Sequence, residues 1–429
     1  MTMKIKLMIG AAMMAAMVFT ATSCSSDDDN NGNNNEGNYT DRSYGQNAIS
    51  ACNDLVSGLE EANGQIASAS LSAEQETYLR SVVANLVDDV IIPTYTELAN
   101  NTEDLEKELK GLKVNTITQA DINKACDSFK KARMNWEQSE AFLGGAASDF
   151  DIDPTIDSWP LNRSLLLNYF NSGTMDEDML DDASILGFHA LEFILFRNGQ
   201  PRKVSEFQGN DTYKNFTGVS GEKELLYAQQ VCKLLKERTF QLQVAWEGET
   251  DANAARVQVV KEAGLEYTTS KGINFGENMK KAGESASTFS SLKDAIAQIL
   301  SDDEGSAAAI ANEVGTAKIA NPFAAGYIFY VESPYSYNSI ADFQDNIRSV
   351  RNVWYGTRNG NSDASAPSFY NFFVMVNKSA TSTNITNLFN DAISKIGNMP
   401  APFVKYCSTI WNLPYENDER TADDLPEEE

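Results

Sequence analysis

The sequence predicts an all-α protein, and three observations support that fold class. Apolar residues recur at spacings of three and four along most of the chain, as they do on one face of an α-helix. The alternation of apolar and polar residues that marks half-buried β-strands is scarce. The chain has 429 residues, which is long enough for two domains with separate cores. Two packed helical bundles are therefore the simplest predicted architecture.

Periodic apolar patterns predict a succession of helices. Pro93 marks a break or kink after the first of them, because proline lacks the N–H group that a helix interior needs. Residues 146–161 are rich in Asp and Pro and are predicted to form a loop, and residues 369–376 fit a short strand or a helix. The predicted helices cover residues 79–91, 121–142, 185–196, 222–246, 288–300, 305–318, 339–354, 380–397 and 402–412.

A polar stretch divides the helical part of the chain. Residues 198–221 contain Gly and Asn and separate two helical halves of similar length. We therefore predict an N-terminal helical domain over residues 45–215 and a C-terminal helical domain over residues 216–415. The acidic tail, residues 416–429, is expected to fray.

The first 44 residues predict export and attachment to a membrane. Lys4 and Lys6 precede an apolar segment, residues 7–19, that is too short to span a bilayer and is typical of a signal peptide. Thr22-Ser23-Cys24 resembles a bacterial lipobox, so residues 1–23 would be removed and Cys24 lipidated. Residues 24–44, rich in Asp and Asn, would form a flexible tether. The predicted location is the outer membrane, at the cell surface or on the periplasmic face.

The charge of the chain is strongly negative. Without Lys4 and Lys6, the 34 basic side chains fall to 32 against 61 acidic ones, which gives the mature chain a formal net charge of −29. Nucleic acid is excluded as a partner because its binding depends on Lys and Arg at the phosphates. The acidic balance favours solubility and the binding of cations.

Four further cysteines offer no recognisable motif. No Cys-x-x-Cys pair is present, which excludes a zinc knuckle and a thioredoxin-like redox motif. The sequence is compatible with two disulfides in an oxidising compartment and equally with four buried thiols. The residues are Cys52, Cys126, Cys232 and Cys407.

The single histidine of the chain is the best candidate for a functional residue. His189 and Glu192 are the polar residues of the otherwise apolar stretch 185–196, and their spacing of three places them on one helix face. A helix that is apolar nearly all round is buried, and a buried carboxylate must be paired, protonated or bound to a metal. The pair therefore indicates a site. In the alternative interpretation, His189, Glu192 and Arg133 form a purely structural network.

Several short motifs resemble those of one protein family. Gly187-Phe188-His189-Ala190-Leu191-Glu192 resembles the Gly-x-His-x-x-Glu signature of imelysin-like proteins. Further segments of the family pattern follow in the expected order and span most of residues 45–410. They are Ile92-Pro93-Thr94-Tyr95, Ala132-Arg133 with Trp136 and Glu140-Ala141-Phe142, Ile156-Asp157-Ser158-Trp159-Pro160-Leu161, Ser336 with Asn346-Ile347-Arg348, and Asn352-Val353-Trp354-Tyr355-Gly356.

The resemblance implies a fold and a place for the site. It implies two domains that are each like a four-helix bundle, with the site at their interface, in an extracytoplasmic lipoprotein linked to iron uptake. It also carries a peptidase label. By position, His189 and Glu192 are the signature pair. The neighbours that the resemblance assigns to the site are Arg133, Glu140, Asp157, Trp159, Ser336 and Asn346.

Metal binding is the function that these residues favour. One imidazole and nearby carboxylates suit iron, copper or zinc, so we expect His189, Glu192 and Glu140 to hold a metal ion or a small metal-containing ligand. Iron-uptake components are the implied protein partners. Ligand-binding roles are predicted for Arg133, Asp157, Trp159, Ser336 and Asn346.

Two other functions stay open. A His-Glu-x-x-His zinc protease is excluded because the chain has one histidine. A zinc peptidase with carboxylate ligands is not excluded, nor is a serine triad of His189 with Ser336 and Asp157, although no Gly-x-Ser-x-Gly segment occurs. The third function is a surface scaffold or adhesin in which the His-Glu pair is structural.

Overall fold

The protein is all-α, as the sequence predicts: the part of the chain that the structure describes is 67% helical, with almost no strands. The computed structural model describes residues 38–172, 182–211, 213 and 216–413. The described α-helices are α1 (Ser43–Ala67), α2 (Ala73–Asn85), α3 (Ile92–Leu109), α4 (Gln119–Glu137), α5 (Ala146–Asp149), α6 (Ile152–Ile156), α7 (Arg163–Asn171), α8 (Gly187–Leu195), α9 (Gly221–Glu247), α10 (Ala254–Glu262), α11 (Phe275–Lys280), α12 (Leu292–Leu300), α13 (Ala307–Glu313), α14 (Asn321–Phe323), α15 (Ser339–Tyr355), α16 (Phe369–Met375), α17 (Ser379–Gly397) and α18 (Phe403–Ile410).

Shorter elements connect these helices. Strands β1 (Phe196–Arg197) and β2 (Gln200–Pro201) form a small antiparallel hairpin directly after α8. In the described part of the chain, the turns with 3₁₀ geometry are Glu140–Phe142, Ala183–Ile185 and Ile328–Tyr330, and those with π geometry are Leu86–Ile91 and Val314–Ala320. Glu206–Asn210 is a kinked turn, with a φ of 96° at Gly209.

The predicted break near Pro93 is a change of helix type. α2, the π-helical turn Leu86–Ile91 and α3 follow one another directly, and Pro93 lies in the first turn of α3. A wide turn accommodates a proline ring, which crowds the preceding turn of a regular α-helix and removes one N–H donor. Ser72 and Gln75 form a capping box at the start of α2, which explains why the helix begins there.

The second predicted helix ends earlier than its apolar pattern suggests. α4 stops at Glu137, where the Ser139 hydroxyl donates a hydrogen bond of 2.7 Å to the Trp136 carbonyl and so replaces a helical donor. The 3₁₀ turn Glu140–Phe142 follows. The predicted loop 146–161 contains the short helices α5 and α6, and residues 369–375 are helical.

Helices from distant parts of the chain pack side by side. α3 lies against α4 and α9, and α9 also contacts α8 and α10. α1 packs against α13 and α17, while α15 contacts α13, α17 and α4. Each of these two sets of contacts thus includes helices from before and after residue 215. All of these helices belong to one compact unit that begins at Gly37. The division into domains 45–215 and 216–415 stays a prediction.

The core is built around aromatic and aliphatic side chains, and every residue of α8 is buried in it. Cys52, Cys126, Cys232 and Cys407 are buried thiols, which is one of the two states that the sequence left open. Among the described helices, none is long and apolar enough to cross a membrane. The predicted signal peptide 1–23, Cys24, most of the tether 24–44 and the tail 416–429 lie outside the described residues.

Candidate functional site

The start of α8 positions the signature pair, and Gly187 makes that position possible. Gly187 has a φ of 73°, and a Cβ atom built on it would lie 2.0 Å from the Ile156 carbonyl oxygen. The backbone of α8 therefore touches the end of α6, and Asp157 is the next residue along the chain. This close approach brings His189 of α8 next to Asp157.

Replacing Gly187 by alanine is expected to destabilise the protein and to separate α8 from α6. The left-handed backbone costs about 1–3 kcal/mol for a residue with a side chain, and the clash with Ile156 adds to this cost. Gly111→Ala is the matched control, since Gly111 has a φ of 78° with no atom within 4 Å of its Cβ position. Denaturant unfolding should show a larger loss for Gly187→Ala. Equal losses would contradict the role of the close approach.

Both nitrogens of the His189 ring face carboxylates. Nδ1 lies 3.2 Å from Oε2 of Glu192, one helical turn away. Nε2 lies 3.2 Å from Oδ1 of Asp157 and 3.8 Å from Oε1 of Glu332. Nε2 is buried and has no hydrogen-bond partner of good geometry among the described residues. The ring thus links three acids that come from three separate segments.

Glu192 is held by the loop before α15. Its Oε1 atom accepts hydrogen bonds from the backbone N–H groups of Tyr335 (3.0 Å) and Ser336 (2.7 Å) and from the Ser336 hydroxyl (2.7 Å). With Oε1 bound in this way and Oε2 facing His189, the carboxylate has a fixed orientation. Glu192 is therefore placed to orient the imidazole.

Arg133 of α4 lies at the centre of the site, and its side chain is 1% exposed. The guanidinium donates to Oδ1 of Asp157 and, at 2.5 Å, to Oε1 of Glu332. It also lies 2.5 Å from Oε1 of Glu137 and 3.6 Å from Oδ2 of Asp342. Such multiple charge-assisted contacts suit the planar fork of an arginine.

Lys318 is a second buried cation beside Arg133. Its Nζ atom lies 3.1 Å from Oε1 of Glu332, 3.3 Å from Oε2 of Glu140 and 3.6 Å from Oε2 of Glu137. The ring of Trp159 lies on another side, with its centroid 5.3 Å from Nζ. The side chain of Lys318 is fully buried in this shell.

Carboxylates outnumber the permanent cations in the site, and burial shifts the pKa values of several of them. Burial raises the pKa of Glu137 and Glu140 well above the usual range, although Lys318 acts in the opposite direction on both and Arg133 on Glu137. Burial likewise raises the pKa of Asp342 to about 7, against the lowering effect of Arg133. These acids are held where an added positive charge would be favourable.

The two acids that face Nε2, Asp157 and Glu332, favour the ionised form. Burial acts to raise the pKa of Asp157 and Glu332, but the neighbouring cations, Arg133 for both and Lys318 for Glu332, lower it below its usual value. Burial and Arg133 act to lower the pKa of His189, but the neighbouring carboxylates, Asp157 first, outweigh them and raise it well above its usual value. The surrounding carboxylates therefore favour the charged imidazolium form of the ring.

The residues predicted from the sequence come together in this cluster. His189, Glu192, Arg133 and Asp157 form its centre, and Glu140 and Trp159 flank Lys318. Ser336 reaches the cluster through Glu192. Asn346 does so through Glu137, whose Oε2 accepts a hydrogen bond of 2.6 Å from the Asn346 amide.

Four charged members of the cluster were not predicted from the sequence: Glu137, Lys318, Glu332 and Asp342. Glu137 follows Arg133 by one helical turn and Glu332 lies four residues before Ser336, so proximity to candidate residues was a usable signal for both. Asp342 lies one helical turn before Asn346. Nothing in its surroundings distinguished Lys318.

Among the described residues, two groups of side chains bring donor atoms close enough to hold a cation. Asp157, His189 and Glu332 form the first, and Glu137, Glu140 and Asp157 the second; in each, the donor atoms lie within 4.8 Å of one another. Ligands bound at about 2.0–2.2 Å lie about 3–3.5 Å apart, close to the spacings around Nε2 of His189. Oε2 of Glu332 is buried without a hydrogen-bond partner in the described part of the chain and is available as a ligand. The first group therefore fits a metal ion.

Comparison with known proteins places these features in a family. The family model described as imelysin matches residues 91–422. Iron-regulated protein A of Synechococcus elongatus is 30% identical over 127 residues, which are 30% of this chain and 34% of that protein. The chain thus matches about a third of the length of this relative.

The comparison with solved structures gives two matches to report. An iron-regulated protein A precursor from Parabacteroides distasonis superposes with a TM-score of 0.59 and 25% identity, over 80% of this chain and 97% of that one. An imelysin-like protein from Psychrobacter arcticum gives a TM-score of 0.44 and 11% identity, over 81% and 98% of the two chains. Because the imelysin model covers well over half of its residues, the chain belongs to the imelysin family.

Proposed function

We propose that this protein is an extracytoplasmic lipoprotein that binds a metal ion, alone or within a small ligand, as part of iron acquisition. His189, Asp157 and Glu332 are the proposed ligands, and Glu192 orients the imidazole. This assignment differs from the sequence-based one, in which Glu192 and Glu140 were ligands. One nitrogen and two carboxylates are donors that suit iron, copper and zinc.

The orientation of His189 is the observation that carries the proposal. A metal-binding histidine generally uses one ring nitrogen for the metal and donates the other N–H to a carboxylate. Here Nδ1 faces Glu192, which three donors hold in place, and Nε2 faces the oxygens of Asp157 and Glu332. A metal ion can bind Nε2 only when that nitrogen carries no proton, so protons would compete with the metal and affinity would rise with pH.

The relatives support the link to iron. A protein from Synechococcus elongatus and one of solved structure are both described as iron-regulated protein A. The proposed location is the outer membrane, with a lipid on Cys24 as the anchor. Iron-uptake components are the proposed partners.

Metal titration of the purified protein tests the site. We expect binding of iron, copper or zinc that His189→Ala abolishes, measured by calorimetry and by metal analysis after dialysis. Because the chain is strongly acidic, Asp89→Asn at an exposed position provides a control for unspecific binding and should leave the affinity unchanged. Equal affinity of the wild type and His189→Ala would contradict the proposal.

A serine triad receives no support from the geometry. The Ser336 hydroxyl donates to Glu192, and both nitrogens of the His189 ring face carboxylates. Incubation with unfolded protein substrates, with and without added metals, tests the peptidase alternative, which requires cleavage that His189→Ala removes. A scaffold with a structural pair predicts that the same variant changes thermal stability and nothing else.

A further inference from the structure

The two candidate cation groups share Asp157, and the ammonium group of Lys318 lies against Glu137 and Glu140, the other two members of the second group. Asp157 belongs to the group with His189 and Glu332 and to the group with Glu137 and Glu140. Adjacent metal ions in proteins are commonly bridged by a carboxylate placed between two such groups. The arrangement therefore resembles a two-cation site in which one of the cations belongs to the chain.

We infer that the ammonium group of Lys318 takes the place of a second metal ion and so limits this site to one. The inference rests on the proposed function, because it assumes that a metal binds at the His189 group. It assigns Lys318 a role in specificity: it determines how many metal ions the site accepts.

The surroundings of Lys318 are those of a bound cation. Both oxygens of Glu140 lie within 3.4 Å of Nζ, and single oxygens of Glu332 and Glu137 lie at 3.1 and 3.6 Å. Glu313, at the end of α13, lies at 3.9 Å with a partly exposed side chain. The ammonium group thus has carboxylate oxygens on several sides and the Trp159 ring on another.

The charge of the site argues the same way. If Lys318 were replaced by an uncharged residue, Arg133 would remain as the permanent cation near four carboxylates: Glu137, Glu140, Asp157 and Glu332. Such an excess of buried negative charge favours either protonation or uptake of another cation. Oxygens from several carboxylates, with the ammonium gone, would provide both the ligands and the space for a second ion.

Counting bound metal in full-length Lys318→Met tests the inference. The variant and the wild type are dialysed against Zn²⁺, and zinc per chain is measured by mass spectrometry. We expect one ion in the wild type and two in Lys318→Met. The double variant Lys318→Met/Glu140→Gln, which lacks one ligand of the second group, is expected to return to one.

Thermal unfolding gives a second readout. Without metal, Lys318→Met should melt below the wild type, and Zn²⁺ should raise its melting temperature more than that of the wild type, because two ions bind the folded state. If Lys318→Met cannot be obtained folded, Lys318→Gln, whose amide still donates hydrogen bonds to the carboxylates, takes its place with the same expected count.

The outcomes separate the inference from the proposed function. One zinc ion in both the wild type and the lysine variants would overturn the role of Lys318 and leave the proposed metal site intact. A wild type that binds no zinc, iron or copper at the His189 group would overturn the proposed function. Two ions in the wild type would overturn the inference alone.

Discussion

Replacing Arg133 by methionine is expected to lower the free energy of unfolding by about 3–5 kcal/mol, the usual cost of removing one partner from a buried ion pair. Methionine fills a similar volume but removes the guanidinium group that contacts Asp157, Glu137 and Glu332 together. All three carboxylates are buried, so solvent cannot replace the lost contacts. Denaturant unfolding of the metal-free protein measures the loss.

The loss should depend on pH in a defined direction. Burial raises the pKa of Asp342 to about 7 even with Arg133 nearby, and the variant would raise it further. A carboxylate whose pKa is higher in the folded state stabilises the fold relative to the unfolded chain at low pH and loses this contribution as pH rises through the folded value. The difference between wild type and Arg133→Met should therefore be small near pH 4 and large near pH 8.

An exposed ion pair provides the control for Arg133. Arg358 lies 3.1 Å from Oε1 of Glu97, and the Glu97 side chain is 51% exposed. Surface pairs contribute about 0–1 kcal/mol, so Arg358→Met should change stability little at either pH. Similar losses for the two arginine variants would contradict the central structural role of Arg133.

Replacing Glu332 by glutamine is expected to weaken metal binding by about 100-fold or more. Substitution of groups that merely orient a metal ligand costs about 10–100-fold, and loss of a charged ligand should exceed that range. Glutamine preserves the shape of the side chain and removes one negative charge from a cluster in which carboxylates outnumber cations. The variant should therefore fold. Calorimetric titration with the metal that the wild type binds most tightly measures the change.

Glu192→Gln is the comparison variant, because it tests whether Glu192 orients His189 or binds the metal itself. If Glu192 orients His189, its variant should lose less affinity than Glu332→Gln. If Glu192 is itself a ligand, as the sequence alone suggested, the order should be reversed. Circular dichroism and the melting temperature of both variants exclude unfolding as the cause of any loss.

Local patterns made much of the fold predictable. The spacing of apolar residues reports burial on one helix face, and it placed the helices around residues 222–246, 339–354 and 380–397 close to their observed bounds. The end of α4 was misplaced because Ser139 binds a carbonyl of the last turn, a contact that apolar periodicity does not record.

The site was predictable where its residues stand out from their neighbours. His189 and Glu192 interrupt an apolar helix, and burial of two polar side chains there requires partners. Lys318 stands in no such contrast, so its sequence surroundings indicate nothing about its role, and Glu332 is marked only by its position four residues before Ser336.

By itself, the sequence determined that the chain is helical and acidic, that a lone imidazole lies buried beside Glu192, and which family the motifs resemble. The tertiary structure alone decided which groups join that pair in a buried cluster. Arg133 and Glu332 are 199 residues apart, and Lys318 and Glu140 are 178 apart, yet they are in contact. Pairing over such distances depends on how helices from both parts of the chain pack, and packing is a property of the whole fold that no local pattern encodes.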